Sequence, residues 1–260
     1  MFEKNILKGQ KGIITGGSSG IGLELARTFL AYGAELTITG RNQEKLDKAL
    51  QELGPGVIGA IGDVRKAEEV AANFKMHMDK YGRVDFLINN AAGNFLCSLE
   101  NMTENGFKAV NEIVCLGTFL WSKAVHSQMK QQKSGRIINI GTTYAAFGPA
   151  TMVGHSGAAK AAVYNLTKTM AVEWGPQGIL TNMIAPGAVE GTEGVSRLMA
   201  GQMDKMLKIC PIPRLAQKSE IAQVATFLLS SMGSYINGAF IPVDGGAHLV
   251  ISGIGLLSPV

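Results

Sequence analysis

The run Thr15-Gly16-Gly17-Ser18-Ser19-Gly20-Ile21-Gly22 constrains this chain more than any other feature. It follows a short apolar, strand-like segment, Gly12-Ile13-Ile14-Thr15, and precedes Leu23 to Leu30, which reads as a helix with Gly33 at the place of a C-terminal cap. A diphosphate needs backbone N–H groups at close range and the positive end of a helix, and glycines remove the Cβ atoms that would block its approach. Strand, glycine turn and helix in that order are the context in which such a turn binds a dinucleotide. Gly16, Gly17, Ser18, Ser19, Gly20, Ile21 and Gly22 are therefore the candidate phosphate cradle.

The rest of the chain repeats the alternation. Strand-like runs stand at 36–39, 57–61, 84–88, 136–140, 179–184 and 239–243, with helical stretches between almost all of them. This pattern predicts an α/β fold, a single-domain doubly wound (Rossmann) parallel sheet of about seven strands with helices on both faces. With no repeat, linker or shift in composition, residues 1–260 read as one domain. The apolar tail 249–260 is expected to pack at a subunit interface of a homo-oligomer.

A hydrophobic content of 46% rules out a disordered chain. The net charge is 24 − 20 = +4 with no run of five like charges, so no nucleic-acid partner is expected. No apolar run approaches the roughly 20 residues of a membrane span, and Met1 to Ile6 has no secretory apolar core. Cys97, Cys115 and Cys210 are far apart and read as buried thiols, and His77, His126, His155 and His248 show no metal spacing. A cytoplasmic protein without a metal site is the expectation.

The end of the second strand bears on the cofactor. An NAD site usually places an acid there for the ribose 2′-hydroxyl. This chain has Thr39-Gly40-Arg41-Asn42, and Arg41 can pair with a 2′-phosphate through charge-assisted bonds, so NADPH is expected. Asp63 and Val64, ending the third strand, would lie under the adenine.

These residues resemble the short-chain dehydrogenase/reductase family over nearly the whole chain. The resemblance rests on Thr15-Gly16-x-x-x-Gly20-Ile21-Gly22, on Asn89-Asn90-Ala91-Ala92-Gly93, on Pro186-Gly187 and on the spacing between them. It implies cofactor contacts from Asn90, Pro186 and Gly187, and from Lys160 to the nicotinamide ribose. The family's usual Tyr-x-x-x-Lys reads Ser156-Gly157-Ala158-Ala159-Lys160 here, and Val114 stands near the place of a common helix asparagine.

Asn89 to Phe95 and Thr142-Thr143-Tyr144-Ala145 resemble the 2,4-dienoyl-CoA reductase branch. The resemblance implies that Tyr144, after the fifth strand, replaces the missing tyrosine, that Asn94 joins it, and that Ser156 and Lys160 complete the catalytic set. It implies hydride transfer from NADPH to a 2,4-dienoyl-CoA, giving a 3-enoyl-CoA, an accessory step of fatty-acid oxidation in a homotetramer. Arg65, Phe95, Thr103 and Arg197 match positions that bind the acyl-CoA. Two details depart from the branch: the Tyr144–Lys160 spacing is one residue longer, and Leu116 stands where asparagine is usual. Two alternatives stay open: a carbonyl reductase of the same family with Tyr144 as acid, and a non-catalytic NADPH-binding protein.

Overall fold

A computed structural model describes residues 2–192, 195, 207–208 and 210–251. Seven parallel strands form one sheet in the order β3-β2-β1-β4-β5-β6-β7. They are β1 (Lys11–Thr15), β2 (Glu35–Gly40), β3 (Val57–Ile61), β4 (Phe86–Asn89), β5 (Gly135–Ile140), β6 (Ile179–Pro186) and β7 (Phe240–Val243). Helices α1 (Gly20–Ala31), α2 (Gln43–Leu53), α3 (Ala67–Tyr81), α4 (Glu104–Asn111), α5 (Gly117–Gln132), α6 (Gly154–Trp174), α7 (Lys218–Leu229) and the short α8 (Ala247–Ile251) connect or follow them.

Alternation of side chains along each strand divides the core. Ile14 and Ile38 face Leu25, Phe29, Leu46 and Leu228 on one side of the sheet. Ile13, Leu87 and Ile137 face Val70, Trp121, Val125 and Met129 on the other. Strands covered on both faces need apolar residues at nearly every position, which is why their sequences read as continuous apolar runs.

The predicted architecture is the one observed, with shifted boundaries. Helix α1 begins three residues earlier than its apolar periodicity suggests, because Ser19 is its N-cap and the glycine turn runs directly into it. Tyr32 caps its C-terminus and Gly33 follows with φ +90°, the left-handed region that favours glycine. Asp63 lies two residues past β3, not within it. Of the cysteines only Cys210 is buried; Cys97 and Cys115 are partly exposed, which corrects the expectation of three buried thiols. Of the tail, residues 252–260 lie outside the described residues. Among the described residues no helix is long and apolar enough to cross a membrane, and no cluster of His, Cys, Asp or Glu could hold a metal ion.

His77, on α3, is fully buried and joins two elements. Its Nε2 lies 2.9 Å from the Arg83 carbonyl, which only accepts, so Nε2 carries the proton. Its Nδ1 then accepts from the Thr37 hydroxyl at 2.8 Å. Burial lowers its pKa to about 4, so the ring folds in the neutral form. The unfolded state takes up a proton near pH 6.5 and the folded state does not, so stability is lost as pH falls from 6.5 towards 4. The loss at pH 4 is about 3 kcal/mol by the conversion of pKa shift to free energy. Urea midpoints of wild type and His77→Gln at pH 7.5 and 4.5 test this; the wild type should show the larger acid-dependent drop.

Candidate active site

The order of the sheet reverses between β1 and β4, and ligands of open α/β sheets bind at such a point, outside the C-terminal ends of the strands. The glycine turn, the Asn89–Phe95 segment and the Tyr144 turn all follow β1, β4 or β5 at that edge.

The turn after β1 has the shape of a phosphate cradle. Gly16 and Gly20 take φ of +64° and +57°. A Cβ on Gly22 would lie 2.3 Å from the Gly16 carbonyl oxygen and 2.6 Å from Asn90 Nδ2, so only glycine allows this close packing. Ser19 caps α1 without a side-chain capping bond, which leaves its hydroxyl and the first helical N–H groups for an anion. Asn90 binds the turn from across the switch point, its Nδ2 donating to Thr15 O at 2.9 Å and Gly16 O at 3.1 Å. Thr15 Oγ1 accepts from the N–H groups of Asn90 and Ala91, each at 3.0 Å. A dinucleotide therefore fits the residues present.

After β2, Asn42 caps α2 by accepting from Lys45 N–H at 2.8 Å, and Arg41 stands at the rim with 55% of its side chain exposed. Its Nη1 is 3.9 Å from Asp63 Oδ2. Asp63 is chiefly held by Arg65, whose Nη2 donates to Oδ2 at 2.6 Å and whose Nε lies 3.0 Å from both oxygens. These bonds keep the Asp63 carboxyl below its ordinary pKa and its charge largely matched by Arg65. Arg65, expected at the acyl-CoA, thus directs most of its guanidinium to Asp63. Val64 is buried behind the pair, against Gly117.

The loops after β4 and β5 carry the remaining groups. Asn94 accepts from the Phe95 N–H through Oδ1 at 2.9 Å, and its Nδ2 has no partner among the described residues. The Phe95 ring lies 4.4 Å from the His155 ring at 30°, and Cys97 N–H donates to Met152 O at 2.8 Å. The loop after β4 is thereby tied to the start of α6. Thr103 acts as N-cap of α4, accepting from Gly106 N–H at 3.1 Å. Val114 sits in a π-helical turn, Glu112–Leu116, between α4 and α5, and packs with Ala159 and Val163 of α6. Leu116, at the end of that turn, is exposed. Sequence periodicity gave no signal for this π turn; such turns often occur beside functional sites.

Tyr144 lies on the 3-10 turn Thr143–Ala145, packed against α6. It is half-buried, and burial raises its pKa, so the phenol stays protonated at neutral pH. Its hydroxyl has no hydrogen-bond partner among the described residues. In the loop between the Tyr144 turn and α6, Met152 takes a φ of +63°.

On α6, Ser156 and Lys160 share one face at i, i+4 spacing. Ser156 is half-buried; Lys160 is buried, and its Nζ donates to the Ile140 carbonyl at 2.5 Å. Burial without a carboxylate partner lowers its pKa to about 8. An ammonium has three donors, so two remain beyond Ile140. His155 is fully buried and neither ring nitrogen has a partner among the described residues. Gly187 N–H donates to Val243 O at 3.1 Å, holding the Pro186-Gly187 turn against the end of β7. Arg197 lies outside the described residues.

A family model described as enoyl-(acyl carrier protein) reductase matches residues 16–248. The chain is 45% identical over 244 residues to a Bacillus subtilis protein named probable 2,4-dienoyl-CoA reductase, (2E)-enoyl-CoA-producing, covering 91% of this chain and 96% of the relative. It is 39% identical over 255 residues to a Danio rerio protein named peroxisomal 2,4-dienoyl-CoA reductase, (3E)-enoyl-CoA-producing, covering 96% of this chain and 85% of that protein. Among solved structures it is similar to a short-chain dehydrogenase from Bacillus anthracis, at 41% identity and a TM-score of 0.86, covering 93% of this chain and 98% of that one.

Proposed function

The chain belongs to the short-chain dehydrogenase/reductase family of oxidoreductases, and from that premise we propose that it reduces 2,4-dienoyl-CoA thioesters with NADPH to 3-enoyl-CoA products. One observation carries this reading. A protonated phenol at Tyr144 and an amide N–H at Asn94, both without partners among the described residues, stand on loops after adjacent strands beside a helix that has Ser156, not tyrosine, four residues before Lys160. Two neutral donors suit a reaction that must hold negative charge on an oxygen without protonating it.

When bound, the nicotinamide supplies hydride to the δ-carbon of the diene. The electron pair displaced from the diene spreads to the thioester oxygen, where the Tyr144 O–H and Asn94 N–H hold it as an oxyanion hole. A proton from water reaches the α-carbon and leaves the double bond between carbons 3 and 4. Protonation at the γ-carbon would leave it between carbons 2 and 3, the product named for the Bacillus subtilis relative. Lys160 would hold the ribose through its remaining donors, and Ser156 would position its neighbours. Gly16 to Gly22 and Asn90 would hold the diphosphate, Asp63 and Val64 would serve the adenine, and Pro186 and Gly187 would serve the carboxamide. Phe95, Thr103 and the Arg65 nitrogen not bound to Asp63 would line the acyl-CoA path. NADPH consumption with a dienoyl-CoA against a ketone panel tests the reaction, and the position of the product double bond by NMR tests the site of protonation. Turnover of ketones alone would favour the carbonyl-reductase alternative, and binding without turnover the non-catalytic one.

The preference for NADPH rests on Arg41. Because Arg65 neutralises Asp63, the nearby carboxylate does not cancel the Arg41 charge. A charged hydrogen bond is worth about 1.5–3 kcal/mol. Arg41→Ala should weaken NADPH about tenfold or more and leave NADH nearly unchanged in fluorescence titrations; equal losses would reject the 2′-phosphate role.

Assembly as a homotetramer is part of the same reading. Light scattering at micromolar concentration should give a multiple of the 27.5 kDa chain mass, and a monomer would reject it.

A further inference from the structure

We propose that Asp244, His248 and Phe147 form a latch that holds the Tyr144 turn in place, with His248 as a positioning residue for the oxyanion donor. The inference rests on the role given to Tyr144 above.

The Tyr144 hydroxyl makes no bond that would fix its own position. The turn that carries it is short. Ala145 N–H donates to Thr142 O at 3.0 Å, and the Ala146 and Phe147 N–H groups donate to Thr143 O at 3.1 and 2.9 Å. Ala146 to Pro149 are exposed, Phe147 among them. Packing on α6 holds the body of the turn, and what anchors Phe147, two residues past it, fixes its outer end. Phe147 meets two rings from the far end of the chain. The edge of Phe240, on β7, lies 5.4 Å away at 86°. The His248 imidazole, on α8, stacks on it at 4.7 Å and 28°.

His248 is itself held on two sides. Asp244, directly after β7, accepts from the His248 N–H through Oδ2 at 2.8 Å and from the Gly246 N–H through Oδ1 at 3.0 Å. Its two oxygens also lie 3.1 and 2.9 Å from His248 Nδ1. An ionised carboxylate only accepts, so Nδ1 carries a proton and the plane of the ring is set by Asp244. The Asp244 side chain is 2% exposed and cannot swing away into water. It also abuts the Pro186-Gly187 turn, since a Cβ on Gly187 would lie 2.8 Å from Asp244 Cβ. The latch thus spans from the predicted carboxamide-binding turn to the tyrosine turn. An aromatic stack alone would account for packing; the buried carboxylate aimed at one edge of the ring accounts for orientation.

Aromatic pairs contribute modestly, so the expected effect is a moderate loss of rate. In the full chain, His248→Ala should lower kcat on a 2,4-dienoyl-CoA about fivefold to tenfold, with the NADPH dissociation constant within about twofold of wild type. His248→Phe keeps a ring against Phe147 but loses the bond from Asp244 that orients it, so its kcat should fall between those of His248→Ala and wild type. Phe147→Leu removes the stack from the other side and should match His248→Ala, which guards against a folding failure of either variant. The decisive comparison is made in the Tyr144→Phe background. There His248→Ala should change kcat less than about twofold, because its effect passes through the missing hydroxyl. A full fivefold to tenfold further loss in that background would overturn the proposal. Hydrogen exchange gives a readout independent of substrate: the Phe147 amide should exchange several-fold faster in His248→Ala, and unchanged exchange would also overturn it. A wild-type enzyme inert towards dienoyl-CoA would overturn the functional reading instead, and the exchange result would then decide the latch alone.

Discussion

Tyr144→Phe is expected to lower kcat on a 2,4-dienoyl-CoA by about 10²–10³, the usual cost of removing one oxyanion donor. The substitution deletes one O–H from a half-buried ring and leaves the packing of the turn on α6 intact. The loss should fall on kcat, because the bond strengthens as charge moves onto the thioester oxygen. NADPH affinity should stay close to wild type. Asn94→Ala should behave similarly, and the double variant should lose less than the product of the two, because both donors serve one oxygen. Ser156→Ala should cost much less. The ranking is decisive: if Tyr144→Phe keeps most of its activity while Ser156→Ala abolishes it, the donor role belongs to Ser156 and the proposed mechanism is wrong.

Replacing Lys160 should damage both cofactor binding and rate. Lys160→Ala removes the cation and leaves the Ile140 carbonyl without its donor, a buried vacancy that destabilises by about 1–3 kcal/mol. Lys160→Met fills the space without the charge and separates these effects. Both should weaken NADPH by about tenfold or more, the scale of a charged hydrogen bond. The pH profile offers a second test. Burial lowers the Lys160 pKa to about 8, so the ammonium form predominates below that pH and is lost above it. Activity should therefore decline as pH rises through 8, by up to about tenfold per unit once deprotonation dominates. The phenol of Tyr144 is shifted the other way and should not contribute a limb in that range. Tyr144→Phe should accordingly keep the falling limb, and Lys160→Met should lose it. A wild-type profile flat from pH 7 to 9.5 would reject a required ammonium at Lys160.

Both variants test residues that were visible in the sequence. Lys160 was legible through resemblance to the family's Tyr-x-x-x-Lys, and the local register added only that it shares a helix face with Ser156. The glycine turn was legible from the residues themselves, because strand, turn and helix are contiguous and the steric demand at Gly22 arises within the turn and from Asn90. Tyr144 and Asn94 were legible only through resemblance. They lie 50 residues apart on loops after different strands, and no period in the chain relates them.

The alternation of apolar runs and helical stretches by itself determined the doubly wound sheet, since a strand covered on both faces must be apolar at nearly every position. The glycines determined where an anion can approach, since backbone conformation and the lack of a Cβ are properties of the residue and its neighbours. Tertiary structure alone decided how each charge and ring is used. Arg65 turns to Asp63, Thr103 caps a helix, and His155 is buried against Phe95 with both nitrogens unpaired. The π turn at Val114 and the stack of His248 on Phe147 were likewise invisible beforehand. The physical reason is range. Backbone periodicity and glycine stereochemistry act within a few residues, whereas hydrogen-bond partners, burial and the pKa values that follow from them depend on which distant segments the packed sheet brings together.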